Sequence, residues 1–163
     1  MKYWLLVAVG ILISASVYGT LGEGYVGLGG EMMFPQGGGA RIGNRVAGGV
    51  IRVGAELGDY YSLEAEVGWL EREATIAVQE LVHFAYFEEY DKLFGYSRFD
   101  PFFTFGVRDW MGRESQVGPK IGLGALYYLC DNWALRSDFD AMLGVEGQVE
   151  VDWTIGISIQ YMF

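Results

Sequence analysis

The last fifteen residues, Val149 to Phe163, read V-E-V-D-W-T-I-G-I-S-I-Q-Y-M-F. Every odd position is large and apolar (Val149, Val151, Trp153, Ile155, Ile157, Ile159, Tyr161, Phe163). The even ones are Glu150, Asp152, Thr154, Gly156, Ser158, Gln160 and Met162. Successive side chains of a strand point to opposite faces, so this period of two gives one greasy face and one carrying carboxylates, hydroxyls and an amide. Strands of soluble domains usually run to about five or six residues. Roughly ten tilted residues cross a hydrocarbon layer, so a segment this long fits a transmembrane β-strand whose greasy face meets lipid.

The same ending resembles the C-terminal assembly signal of bacterial outer-membrane β-barrels, with Phe163 last, Tyr161 two before it, Ile159, Ile157 and Ile155 alternating upstream, and Gly156 inside the run. The resemblance implies that the barrel-assembly machinery reads Gly156, Ile159, Tyr161 and Phe163 during biogenesis.

At 163 residues the chain has the length of one domain, and 52% hydrophobic with 16% aromatic residues is rich for a soluble protein of that size. A net charge of −10 argues against nucleic acid as a partner and offers no polybasic patch to anionic lipid. The lone cysteine, Cys130, cannot form an internal disulfide and is expected as a packed turn residue. The N-terminus reads as an export signal: Lys2, an apolar run from Leu5 to Ile13, then the small residues of Ser14 to Gly19. That run is too short to span as a helix. Cleavage is expected after Gly19, with Ser16 as the alternative. Residues 1–19 are therefore set aside as a signal peptide and 20–163 taken as the barrel domain.

Seven more alternating segments precede the last one. They are Glu23 to Phe34, Arg45 to Leu57, Tyr61 to Leu70, Thr75 to Phe87, a fifth starting at Pro101 to Val107, Lys120 to Leu129, and Trp133 to Ala141. The fourth is the least clear, because Val78, Leu81, Val82 and Ala85 also fit a helical period; its neighbours favour a strand. Gly58-Asp59 and Asp131-Asn132 read as tight turns. Pro35 to Asn44, Leu70 to Ala74, Glu88 to Asp100, Asp109 to Val117 and Met142 to Gln148 read as loops. Eight strands with both termini on one side make an antiparallel up-and-down transmembrane β-barrel, closed because hydrocarbon leaves no partner for a sheet edge.

Closure assigns the polar face to the inside. Glu31, Glu56, Glu64, Glu66, Asp138, Asp140, Glu150 and Asp152 are expected there as acids, with Arg52, Arg108, Lys120 and Arg136 as bases, eight against four. A basic group facing lipid at the midplane would cost roughly 2–4 kcal/mol. Tyr61, Trp69, Tyr127, Trp133, Trp153 and Tyr161 fall mostly near strand ends on the apolar face, where interfacial aromatic girdles belong.

Two internal blocks extend the resemblance over essentially the whole chain. Asp100-Pro-Phe-Phe-Thr-Phe-Gly-Val107 is similar to a strand opening of OmpA-like and OmpX-like barrels, and Gly122 to Asp138 resembles their Gly-x-Gly strand, Asn-Trp turn and Arg-x-Asp return strand. The resemblance implies a monomeric, non-enzymatic protein of the Gram-negative outer membrane, in contact with its lipid and lipopolysaccharide, with a structural or adhesive role. A narrow, porin-like conduit for small apolar solutes is the alternative. An exported soluble ligand-binding barrel and a lipid A-modifying enzyme are the further rivals. Against the enzyme, the place of the serine in the deacylases' His-x-Ser is Ala85 after His83, the only histidine. The carboxylate pairs Glu64/Glu66 and Asp138/Asp140 are expected to serve internal ion pairs, and neither metal nor cofactor is expected.

Overall fold

Alternation of side chains along eight segments produces eight strands, and a computed structural model describes them over residues 23–34, 45–58, 60–71, 73–84, 98–111, 116–146 and 148–163. In order they are β1 (Gly24–Phe34), β2 (Val46–Gly58), β3 (Tyr61–Leu70), β4 (Glu73–His83), β5 (Phe99–Met111), β6 (Gln116–Cys130), β7 (Trp133–Glu146) and β8 (Gln148–Met162). Each pairs antiparallel with the next, and β8 pairs with β1, so the sheet is a closed barrel. At the seam, Phe163 N–H donates to Gly24 O at 2.9 Å and Gly24 N–H to Phe163 O at 3.2 Å. No strand is left with an open edge.

The register also fixes the stagger. Following paired residues once round, from Gly24 through Ala55, Leu63, Glu80, Phe105, Ile121, Ala141 and Trp153, returns to β1 at Phe34, ten residues along the strand. Such a shear requires strands tilted about 35–45° to the axis, which is why each must be long to cross the same height. The rim bearing Gly24 and Met162 is called the near rim below, and the one bearing Phe34 and Gln148 the far rim.

Apolar side chains face outward. Leu28 is 63% exposed and Ile157 60%, and Phe103, Phe105, Ile121, Leu123 and Leu135 are exposed with them. A soluble ligand-binding barrel would have the reverse polarity. The aromatic residues divide between the rims: Tyr61, Tyr127, Trp133 and Tyr161 stand at near-rim strand ends, with Trp133 packed on Tyr161 at 4.9 Å. Trp69 lies one residue from the far end of β3. Trp153, half-buried, pairs with Phe34 in that rim's register and stacks on Phe139 at 5.2 Å.

Several boundaries differ from the sequence expectation. Asp109 to Met111 extend β5, Gln116 and Val117 open β6, and Met142 to Glu146 and Gln148 belong to β7 and β8. Most of the two expected loops is therefore sheet. Glu73 and Ala74 likewise belong to β4, leaving a tight connection in which Glu71 takes φ 55°. Phe99 and Asp100 begin β5, making Pro101 its third residue, and β4 ends at His83. Cys130 is exposed at the end of β6, not packed. The expected signal peptide, the 35–44 segment and residues 85–97 lie outside the described residues.

Candidate functional site

The inward faces of all eight strands converge on one sealed charged layer. Glu31, Arg52, Glu64, Glu66, Arg108, Lys120, Arg136, Asp138 and Asp140 are all buried, with Glu64, Glu66 and Arg108 at 0% exposure. Arg52 is its hub: Nε donates to Glu66 Oε2 at 3.0 Å, Nη2 to Glu31 Oε1 at 3.0 Å and Nη1 to Ser158 Oγ at 3.0 Å, while Asp138 Oδ2 lies 3.3 Å from Nη2. Arg108 bonds Glu66 and reaches Glu31 Oε1 at 3.3 Å. Lys120 bridges Asp140 at 3.0 Å and Glu66 at 3.4 Å. Arg136 bonds Glu64 and donates through Nε to Asp138 Oδ1 at 2.7 Å.

Neutral groups complete the layer. The Tyr25 hydroxyl donates to Glu64 Oε2 at 2.9 Å, the Gln79 amide to Glu64 Oε1 at 2.5 Å, and Thr104 to Asp140 Oδ1 at 3.0 Å. Alternation alone puts Thr104, Thr154 and Ser158 on inward faces but does not give their ionic partners, and it does not mark Tyr25 or Gln79 as members; the closed register supplies both.

The expected excess of acid is largely resolved by position. Five carboxylates, Glu31, Glu64, Glu66, Asp138 and Asp140, face four bases in the sealed layer. Glu56 is half-buried two residues from the near end of β2, and Asp152 is half-buried toward the far end of β8. Glu150 is placed in β8, and its side chain lies outside the described ones. Among the described side chains, nine of the twelve expected members lie in the sealed layer, and Glu56 and Asp152 stand nearer the mouths. Buried ions need this degree of mutual pairing, because taking a charge out of water costs several kcal/mol unless partners replace the solvent.

Below the charges, toward the near rim, the interior turns apolar. Tyr25, Leu81, Phe102, Leu126, Ala134 and Met162 form one buried cluster, and the Arg136 guanidinium lies 4.8 Å from the Phe102 ring centroid, joining the two layers. Glycines make room for these rings: a Cβ on Gly54 would stand 2.2 Å from Tyr25 Cζ, and one on Gly124 2.5 Å from Phe102 Cζ. Met33, Val50, Leu70 and Met142 are buried nearer the far rim. The shaft is therefore filled, as eight strands dictate.

Beneath the apolar cluster, at the near mouth, His83 stands between two polar partners, Asp100 Oδ2 at 2.6 Å from Nδ1 and Ser62 Oγ at 2.8 Å from Nε2. The sequence reading treats His83 as isolated, since its partners lie on β3 and β5, far away in the chain. Among the assembly-signal residues, Ile159, Tyr161 and Phe163 face outward, and Gly156 faces the shaft, where a Cβ would lie 3.3 Å from Arg52 Nη2 and 3.4 Å from Asp138 Oδ2.

No protein-family model and no curated protein matches the sequence. Solved structures do match the fold. The N-terminal β-barrel domain of Pseudomonas aeruginosa OprF aligns with TM-score 0.60 and 18% identity over 85% of this chain and 97% of that one. The outer membrane protein OprG of the same organism gives 0.63 and 11% over 88% and 96%. Ail, the attachment invasion locus protein of Yersinia pestis, gives 0.62 and 10% over 88% and 99%. At such identities the likeness is one of architecture, and the architecture is that of an eight-stranded transmembrane β-barrel.

Proposed function

We propose that this chain is an integral protein of the Gram-negative outer membrane, a barrel with a structural or surface-interaction role. The observation that carries the reading is polarity: a predominantly apolar exterior bounded by aromatic residues at both rims, around ionised side chains sealed from solvent. Such a surface is stable only against acyl chains, and among the structural neighbours OprG is an outer membrane protein and Ail belongs to an attachment invasion locus. The adhesive reading assigns contact with partners to the far-rim connections, with lipopolysaccharide and lipid around the belt and the barrel acting as a monomer. Residues 1–19 direct export, and the outward Tyr161 and Phe163 present the assembly signal.

Expression with residues 1–163 in a Gram-negative host should place the protein in the outer-membrane fraction with heat-modifiable migration in a gel. A product lacking residues 1–19 that stays soluble without detergent would overturn the membrane reading. Deleting Phe163 should reduce the assembled, heat-modifiable fraction several-fold while leaving synthesis unchanged. For the surface role, cells displaying the barrel should bind extracellular-matrix protein more strongly than cells whose barrel lacks residues 35–44. Equal binding would leave a structural role alone.

A further inference from the structure

The hydrogen-bond chain at the near mouth has a polarity of its own. A carboxylate only accepts, so Asp100 takes the Nδ1 proton of His83, and in the neutral form of the ring Nε2 is left as an acceptor facing the Ser62 hydroxyl. That tautomer is the one a general base needs, because the Nε2 lone pair is aimed at the serine proton. All three groups are at least nine-tenths buried: Ser62 is 1% exposed, His83 6% and Asp100 2%. The Phe102 ring, tilted against the imidazole at a centroid distance of 5.9 Å, fixes its orientation from the shaft side. The backbone holds it too, with His83 N–H donating to Tyr60 O at 2.8 Å.

From this geometry we infer that Ser62, His83 and Asp100 form an activated-serine site at the near mouth, reactive toward small uncharged acyl esters. Ser62 is the nucleophile, His83 the base, and Asp100 the group that orients the base. The trio is separated from the charged layer by Tyr25, Leu81 and Phe102, so an uncharged electrophile suits its surroundings better than an anion. Access comes from its place in the sheet: Ser62 is the second residue of β3, His83 the last of β4 and Asp100 the second of β5. Strand ends open locally at small free-energy cost.

The chemistry balances without any further reagent. Ser62 Oγ bonds to the ester carbonyl carbon as its proton passes to His83 Nε2. The ester C–O bond breaks and the alcohol leaves with that proton. Water, deprotonated by the same imidazole, then attacks the acyl-serine, releasing a carboxylic acid and restoring the hydroxyl.

The test uses the folded full-length barrel in detergent, diisopropyl fluorophosphate as covalent probe and p-nitrophenyl acetate as ester, with the labelled peptide identified by mass spectrometry. Ser62 should be phosphorylated about 100-fold faster in the folded barrel than in the same chain unfolded in guanidinium, the usual gain from a positioned base. The His83→Gln barrel, checked for folding by heat-modifiable migration, should lose that advantage, and acetate release should fall with it. Should His83→Gln not fold, the folded-against-unfolded comparison of the unaltered chain decides alone. Ser62 left unlabelled, or labelled no faster folded than unfolded, or labelled equally in folded His83→Gln, would overturn the assignment and leave the trio as a polar stitch across three strand ends.

Discussion

Glu66 shows how one residue's worth depends on where the sheet puts it. Its carboxylate meets Arg52, Arg108 and Lys120 at full burial, so Glu66→Ala strands three cations in a dry layer that still holds Glu31, Glu64, Asp138 and Asp140. Breaking a buried pair from one side costs about 3–5 kcal/mol, and guanidinium unfolding in phospholipid vesicles, followed by tryptophan fluorescence, should register a loss of that order. Glu80 is the opposite case. It pairs with Leu63 and Phe105, and Phe105 is exposed on the outer face, so directly opposed Glu80 points outward as well. It stands one outward position deeper than Val82, which pairs with the girdle residue Tyr61. Glu80→Leu should therefore stabilise the barrel in vesicles, by up to about 1 kcal/mol near an interface. A stability loss there would mean that the carboxylate has a partner in the bilayer surface. An acid outside and Leu81 and Ala77 inside also explain why the fourth strand mimicked a helical period in the sequence.

At the scale of the strands, alternation was legible wherever one face meets acyl chains and the other meets charge, which is why Tyr61–Leu70 is the same in sequence and structure. It faded at the far ends. Residues such as Asp109 and Gly144 carry the composition of loops, yet β5 and β7 continue through them, because main-chain pairing between neighbouring strands persists whatever the side chains are. The partners of His83 were illegible for a different reason: Ser62 and Asp100 come to it through register, and register depends on where β5 begins. Glycine positions carry the packing information that alternation lacks. Gly124 lies under the Phe102 ring, with Ser137 O 2.6 Å from where a Cβ would stand, so backbone as well as ring would have to move. Gly124→Val should destabilise the barrel by about 1–3 kcal/mol, the usual cost of overpacking, and Phe102→Ala should recover part of that loss when combined with it. Additive losses in the four-member cycle would show that the ring is not the obstacle.

For the whole molecule, eight strands and a shear of ten residues enclose a shaft that side chains fill, and the order of its layers decides what can pass. Ions entering from the far mouth pass the buried Met33, Leu70 and Met142 and then meet a charged layer in which every large member is paired; below it lies the apolar cluster of Tyr25, Leu81, Phe102, Leu126 and Met162. Two barriers of different chemistry stand in series, and removing one leaves the other. Glu64→Ala or Arg136→Ala loosens the charged layer, but a dry apolar constriction still blocks hydrated ions. Planar-bilayer recordings should accordingly show no steady conductance for the unaltered barrel or for either charge variant. The combination Phe102→Ala, Leu126→Ala and Arg136→Ala, which thins both layers where they meet, should be the first to conduct. Steady current through the unaltered protein would make the barrel a conduit; current through Arg136→Ala alone would place the barrier in the charges and remove the apolar cluster from the account.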